Sequence, residues 1–195
     1  MSDSLDLEPS PAAWLDTVLA DFDSFLKDHA SCEKKASGMA LNIASHYPDR
    51  PELLITMADL AVEELSHYRE VVRLLVERGL TPGADTRDPY VRGLNALIRQ
   101  GPEQFLLDRL LIAAIVERRG FERFSLIAEA LPAGADKRFY QAISASEDRH
   151  WQTFITLANT HCAEALQAHI PARLAELVTA EGAIVKSLPL RAALH

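Results

Sequence analysis

Apolar residues recur every three or four positions through most of the chain, and four long stretches keep that period well enough to read as amphipathic helices. The first runs from Ser10-Pro11, an N-cap followed by proline, to about Tyr47, with room for a break in its first turns. Its stripe is Phe22, Leu26, His29, Glu33, Ala36, Ala40 and Ile43, and Pro48-Asp49-Arg50-Pro51 ends it. The second spans about Glu52 to Arg78, stops at Gly79, and aligns Leu53, Met57, Leu60, Ala61, Glu64, His67, Tyr68, Val71 and Leu75. The third, about Pro102 to Ala130, aligns Leu106, Leu110, Ala113, Ala114, Glu117, Gly120, Phe121, Phe124 and Ala128. The fourth, about Asp136 to Ala165, aligns Phe139, Tyr140, Ile143, Glu147, His150, Trp151, Phe154 and Ala158.

Two shorter helices are expected, from Asp88-Pro89 to about Gln100 and from Pro171 to about Lys186. The latter is amphipathic without site-like residues. Residues 1–9 read as a flexible tail, and no alternating run suggests a strand. The short loops at 48–51 and 131–135 require antiparallel neighbours, while the stretch 79–101 is long enough for an end-to-end crossover. The expected fold is therefore all-α: a ferritin-like four-helix bundle with a long crossover and extra flanking helices, one domain over residues 1–195.

Each apolar stripe contains a glutamate. Glu64 and His67 form a Glu-x-x-His unit, and so do Glu147 and His150; Glu33 precedes the first unit by 31 residues and Glu117 the second by 30. On a helix, positions i and i+3 share a face, so each unit aims a carboxylate and an imidazole the same way. Two lone glutamates plus two such units are the ligand set of a carboxylate-bridged di-iron or di-manganese site. Burying an ionised carboxylate costs several kcal/mol even after relaxation. Four of them would overwhelm a folding stability of about 5–15 kcal/mol unless cations compensate. Mixed oxygen and nitrogen ligation suits iron, with manganese second, better than zinc.

Composition limits the remaining choices. A length of 195 residues, with 48% hydrophobic and 25% charged, fits one globular domain. Cys32 and Cys162 stand far apart with no C-x-x-C, which fits a reducing cytoplasm. The N-terminus has no signal-peptide pattern, and no apolar run reaches the length of a membrane span. The net charge of −8 falls to about −4 once two divalent metals are counted, which is still acidic for a partner of nucleic acid. Against that balance, Lys34, Lys35, Arg69, Arg73, Arg118, Arg119, Arg123 and Arg149 gather beside the ligands. Such a belt is either a solvated face laced with ion pairs or a patch receiving phosphates; the candidates for the second role are Lys34, Lys35, Arg69, Arg118, Arg119 and Arg149. His29, one turn before Glu33, is either a partner of that ligand or a core histidine. Glu63 and Glu122 fall out of phase and are assigned to solvent. Small residues near the ligands (Ala36, Ser37, Ala40, Ala113, Ala114 and Gly120) leave room for an apolar channel or simply let helices pack closely.

The strings His29-Ala30-Ser31-Cys32-Glu33-Lys34-Lys35-Ala36, Glu63-Glu64-Leu65-Ser66-His67-Tyr68, Glu117-Arg118-Arg119-Gly120-Phe121-Glu122-Arg123-Phe124 and Ser146-Glu147-Asp148-Arg149-His150-Trp151 resemble those of the MiaE family, bacterial tRNA 2-methylthio-isopentenyladenosine hydroxylases. The resemblance implies a non-haem di-iron monooxygenase that hydroxylates the isopentenyl group of a modified adenosine beside the tRNA anticodon. It implies two iron ions, dioxygen as co-substrate, two electrons from an external reductase, and a tRNA carrying the prenylated base. The alternatives are a ferritin-like iron-oxidising or storage protein, or another di-iron oxidase with a small-molecule substrate. Storage demands a shell, whereas the expectation here is a monomer or dimer.

Overall fold

The computed structural model describes residues 5–195, and among them it contains eight helices and no strand. They are α1 (Ala12–Ala20), α2 (Phe22–His46), α3 (Pro51–Glu77), α4 (Pro89–Asn95), α5 (Pro102–Ala130), α6 (Ala135–His161), α7 (Glu164–Gln167) and α8 (Ile170–Ser187). Contacts divide the chain into two compact units. One holds residues 12–86 with 190–194; the other holds residues 87–189 with 5–11 and His195.

The first unit is the hairpin of α2 and α3. The expected break falls at Asp21, whose Oδ1 accepts from the Ser24 backbone N–H and caps α2. Phe25, Leu26, Ala40 and Ile43 of α2 are fully buried, as are Leu53, Met57, Val71 and Leu75 of α3. At roughly 1.5–3 kcal/mol for each large apolar side chain, this seam is the hairpin's main source of stability. Ser37 Oγ donates to the carbonyl of Ala61 across it at 2.8 Å. After α3, Gly79 takes φ +72°, and the N–H of Leu80 reaches the carbonyl of Leu75 in a Schellman closure.

The second unit is built on α5 and α6. From Leu106 to Ile115 every residue of α5 except Arg109 is buried, because α5 packs against α4, α6 and α8 together. Asp108, fully buried, binds Arg99 through its backbone N–H and guanidinium, and Arg173 of α8 through its guanidinium, at 2.8–3.0 Å. Burial raises this carboxyl's pKa, but the two guanidiniums hold it below the usual range. This capture of Arg99 accompanies the early end of α4 at Asn95, short of the expected Gln100. Helix α6 ends at His161, also earlier than expected, and the single turn α7 follows.

Two further expectations change. Residues 1–4 of the proposed tail lie outside the described residues. Of the rest, Leu5 is 3% exposed and the Glu8 carbonyl accepts from Arg119, so this segment is packed. Helix α8 does carry a chemically significant residue: Glu181, fully buried, accepts from Arg119 Nε and Nη2 and from the Tyr90 hydroxyl at 2.8–3.0 Å.

Candidate metal centre

Each unit carries one half of the predicted ligand set. In the 12–86 unit, the middle of α2 supplies Glu33 and the middle of α3 supplies Glu64 and His67. Glu33 and Glu64 are 3% and 1% exposed, although both are charged side chains in apolar stripes. His67 Nδ1 faces Glu33 Oε2 at 3.5 Å and Glu64 Oε2 at 3.7 Å. His29 Nε2 meets Glu33 Oε1 at 2.6 Å. Because an ionised carboxylate can only accept, the proton of this bond sits on His29. The other oxygen, Glu33 Oε2, is buried and makes no hydrogen bond.

The electrostatics of this unit follow from that geometry. Burial pushes the Glu33 carboxyl up, but the hydrogen bond from His29 and the nearby His67 imidazole override this and hold it well below the usual carboxylate range. Burial likewise pushes His67 down, yet Glu33 and Glu64 raise it to about 10. The same two carboxylates that would share a cation with His67 are thus what favours a positive charge on its ring.

The 87–189 unit repeats the arrangement. Glu117 comes from α5, and Glu147 and His150 from α6; they are 5%, 4% and 3% exposed. His150 Nδ1 faces Glu117 Oε2 at 3.7 Å and Glu147 Oε2 at 3.8 Å. Its Nε2 lies 3.3 Å from Ser146 Oγ, which fixes the ring so that Nδ1 points at the carboxylates. Gly120 of α5 lies against this ligand: a methyl group at that position would sit 3.6 Å from Glu147 Oε2, an ordinary van der Waals contact. The halves differ one turn before the lone glutamate, where the first has His29 and the second has Ala113.

These residues fit a metal. Within each unit the three donor atoms all lie within 4.8 Å of one another. Two ligands bound at roughly 2 Å to a common ion stand roughly 3–4 Å apart, and the four measured gaps of 3.5–3.8 Å fall in that interval. They are too long for hydrogen bonds. A buried carboxylate oxygen without a donor, Glu33 Oε2, is a ready acceptor for a cation. Carboxylates with one imidazole per unit make a donor set for iron or manganese.

The basic candidates sort differently. Arg119 is fully buried and locked by Glu181, Glu122 and the Glu8 carbonyl, so it is no phosphate ligand; the sequence placed it in the belt because it stands two residues from Glu117, and adjacency does not say which side of the helix is covered. Arg123 is 4% exposed and donates to Ser10 Oγ. Glu122, expected in solvent, accepts from Ser10 and Arg119 instead. Lys34 pairs with Asp85 at 2.8 Å and Lys35 donates to the Thr86 carbonyl. Arg118 lies over the Phe121 ring at 4.9 Å. Arg69 and Arg149 are exposed, the latter donating to the Ala145 carbonyl.

The chain as a whole is similar to known proteins. The family model described as tRNA-(MS[2]IO[6]A)-hydroxylase (MiaE) matches residues 3–195. The chain belongs to the MiaE family. A tRNA 2-(methylsulfanyl)-N(6)-isopentenyladenosine(37) hydroxylase of Pseudomonas putida is 37% identical over 157 residues, 80% of this chain and 76% of that protein. A protein of the same description from Salmonella typhimurium is 30% identical over 119 residues, 61% of this chain and 44% of that protein. Among solved structures, a Synechococcus protein described as having aldehyde deformylating oxygenase activity superposes with a TM-score of 0.88. It is 32% identical, with 96% of this chain and 93% of that one covered. The all-α, ferritin-like fold class expected from the sequence holds for this MiaE-family chain, and no helix among the described residues is long and apolar enough to cross a membrane.

Proposed function

We propose that this MiaE-family protein hydroxylates the isopentenyl group of a modified adenosine at position 37 of tRNA, with dioxygen as oxidant and two electrons from an external reductase. The observation that carries the reading is the repeated donor set, two carboxylates around one imidazole Nδ1 at 3.5–3.8 Å, in both hairpins. In this proposal Glu33, Glu64, His67, Glu117, Glu147 and His150 together hold two iron ions within one domain. Bound iron supplies what no side chain does, the reductive activation of dioxygen. The chain's own residues bind and orient: His29 aims Glu33, Ser146 aims His150, and the apolar stripes around both keep stray water out.

The target base has to leave its stack to reach buried ligands, as is general for enzymes acting on bases. Phosphate contacts are proposed for Arg118 and Arg149, whose positions flank ligands on α5 and α6, and for Lys34, Lys35 and Arg69. For Lys34 and Lys35, phosphate would compete with Asp85 and the Thr86 carbonyl. The cytoplasm, where tRNA is modified, is the proposed location. The test is mass analysis of tRNA nucleosides from cells with and without this protein. A gain of one oxygen atom on the prenylated adenosine is expected; an unchanged nucleoside rejects the reading.

A second reading has one observation behind it, the 32% identity to the Synechococcus protein with aldehyde deformylating oxygenase activity. It makes the substrate a small aldehyde. Turnover of aldehydes by the iron-loaded protein, with no change in tRNA nucleosides, would favour it.

A further inference from the structure

The buried face of α3 carries Glu64 and His67, but its opposite face is also organised. Ile55, Val62, Leu65 and Val76 are 60%, 67%, 52% and 61% exposed. Ala58 and Val72 stand between them on the same face. Positions 55, 58, 62, 65, 69, 72 and 76 advance by alternating steps of three and four, the 3.5-residue repeat of a coiled-coil seam. Arg69 alone interrupts it. The row spans about 32 Å of helix at 1.5 Å per residue. Single exposed apolar residues are ordinary, whereas a continuous row in one register is a surface shaped for another helix.

Charge decides which helix. One flank of the row, in heptad steps, is Glu52, Asp59, Ser66 and Arg73, so it is acidic toward the N-terminus of α3 and basic toward its C-terminus. Asp59 and Arg73 are exposed and two heptads apart, roughly 21 Å along the helix, too far to pair with each other in one chain. A parallel partner would face this flank with the opposite flank, Leu54, Ala61 and Tyr68, which carries no charge. An antiparallel copy of α3 faces it with itself, which sets Asp59 against the partner's Arg73 on both sides of a two-fold axis near Ser66. The apolar row supplies contact area and the charges fix direction.

We propose that the protein forms a homodimer through antiparallel pairing of α3 along the Ile55–Val76 row. Arg69 then lies in the seam and is covered by the partner, so the phosphate contact proposed for it is open to the single chain and closed in the dimer.

Sedimentation equilibrium on the full chain at tens of micromolar tests this. The wild type is expected at twice the 21.6 kDa of one chain. The Ile55→Glu, Val62→Glu variant, altered only at exposed positions, is expected at the mass of one chain with unchanged helicity, and with a melting temperature that no longer rises with protein concentration. Asp59→Arg or Arg73→Asp alone should weaken association by about tenfold or more through like-charge contacts. The two together should restore it, which a general change in solubility would not do. A wild-type monomer, a dimer indifferent to Ile55→Glu, Val62→Glu, or a double swap no better than the single changes would each overturn the proposal. So would loss of tRNA binding in the Ile55→Glu, Val62→Glu variant at unaltered mass, since the face would then be an RNA surface.

Discussion

At Glu33 the two carboxylate oxygens have different work. Oε1 is held by His29 at 2.6 Å, which leaves Oε2 for a metal. His29→Leu should therefore keep the fold and lower iron affinity by about 10–100-fold, the usual cost of losing an outer partner of a ligand. Titration against a competing chelator measures this, and wild-type affinity in the variant would make His29 a core residue only. His67 makes a second residue-scale prediction. Its folded pKa of about 10 lies above the ordinary 6.5, so in the metal-free protein its stabilising pairing is fully present below about pH 6.5 and fades as pH rises through about 10. Denaturant melts of the metal-free chain between pH 7 and 10 should lose stability that His67→Ala does not have to lose. Iron loading at neutral pH should also release a proton from His67, read by calorimetry in buffers of different ionisation enthalpy. The six proposed ligands stood out in the sequence because a charge in an apolar stripe is an anomaly of phase. His29 stayed ambiguous there, since a histidine satisfies a stripe either way and only the distance to Glu33 decides.

Among the elements, α5 is the one whose surroundings the sequence understated. Its period correctly placed Glu117 inward, but the same helix buries Arg119 on another side, against Glu181 of α8. Periodicity locates one stripe well, and a helix covered on several sides has no single stripe to find. Glu181 did leave a signal, standing four residues after buried Leu177 on the apolar side of α8. Taking away one member of a buried ion pair strands the other. Glu181→Ala should accordingly cost about 3–5 kcal/mol in chemical denaturation. A loss below about 1 kcal/mol would mean that water replaces Glu181 and that α8 is not held by this pair. The tail misjudged from composition belongs to the same network, since the Glu8 carbonyl binds Arg119, and Ser10, read as a helix cap, binds Arg119 and Arg123 through its hydroxyl, contacts that hydropathy does not register.

For the whole molecule, helix number, loop lengths and the matched 31- and 30-residue offsets were enough to reach the ferritin-like class, because each is a local property of the chain. What binds outside the chain was legible only through family likeness. No residue pattern in an acidic protein spells out a prenylated base. Site and substrate meet in one claim: these glutamates and histidines would hold the iron that hydroxylation of the modified adenosine by dioxygen requires. The most direct measurement is a single turnover of iron-loaded, reduced protein with prenylated tRNA under isotopically labelled dioxygen, followed by mass analysis of the nucleosides. One labelled oxygen is expected on the prenylated adenosine with the wild type and none with Glu147→Ala. Oxygen drawn from water, or undiminished labelling by Glu147→Ala, would contradict the claim.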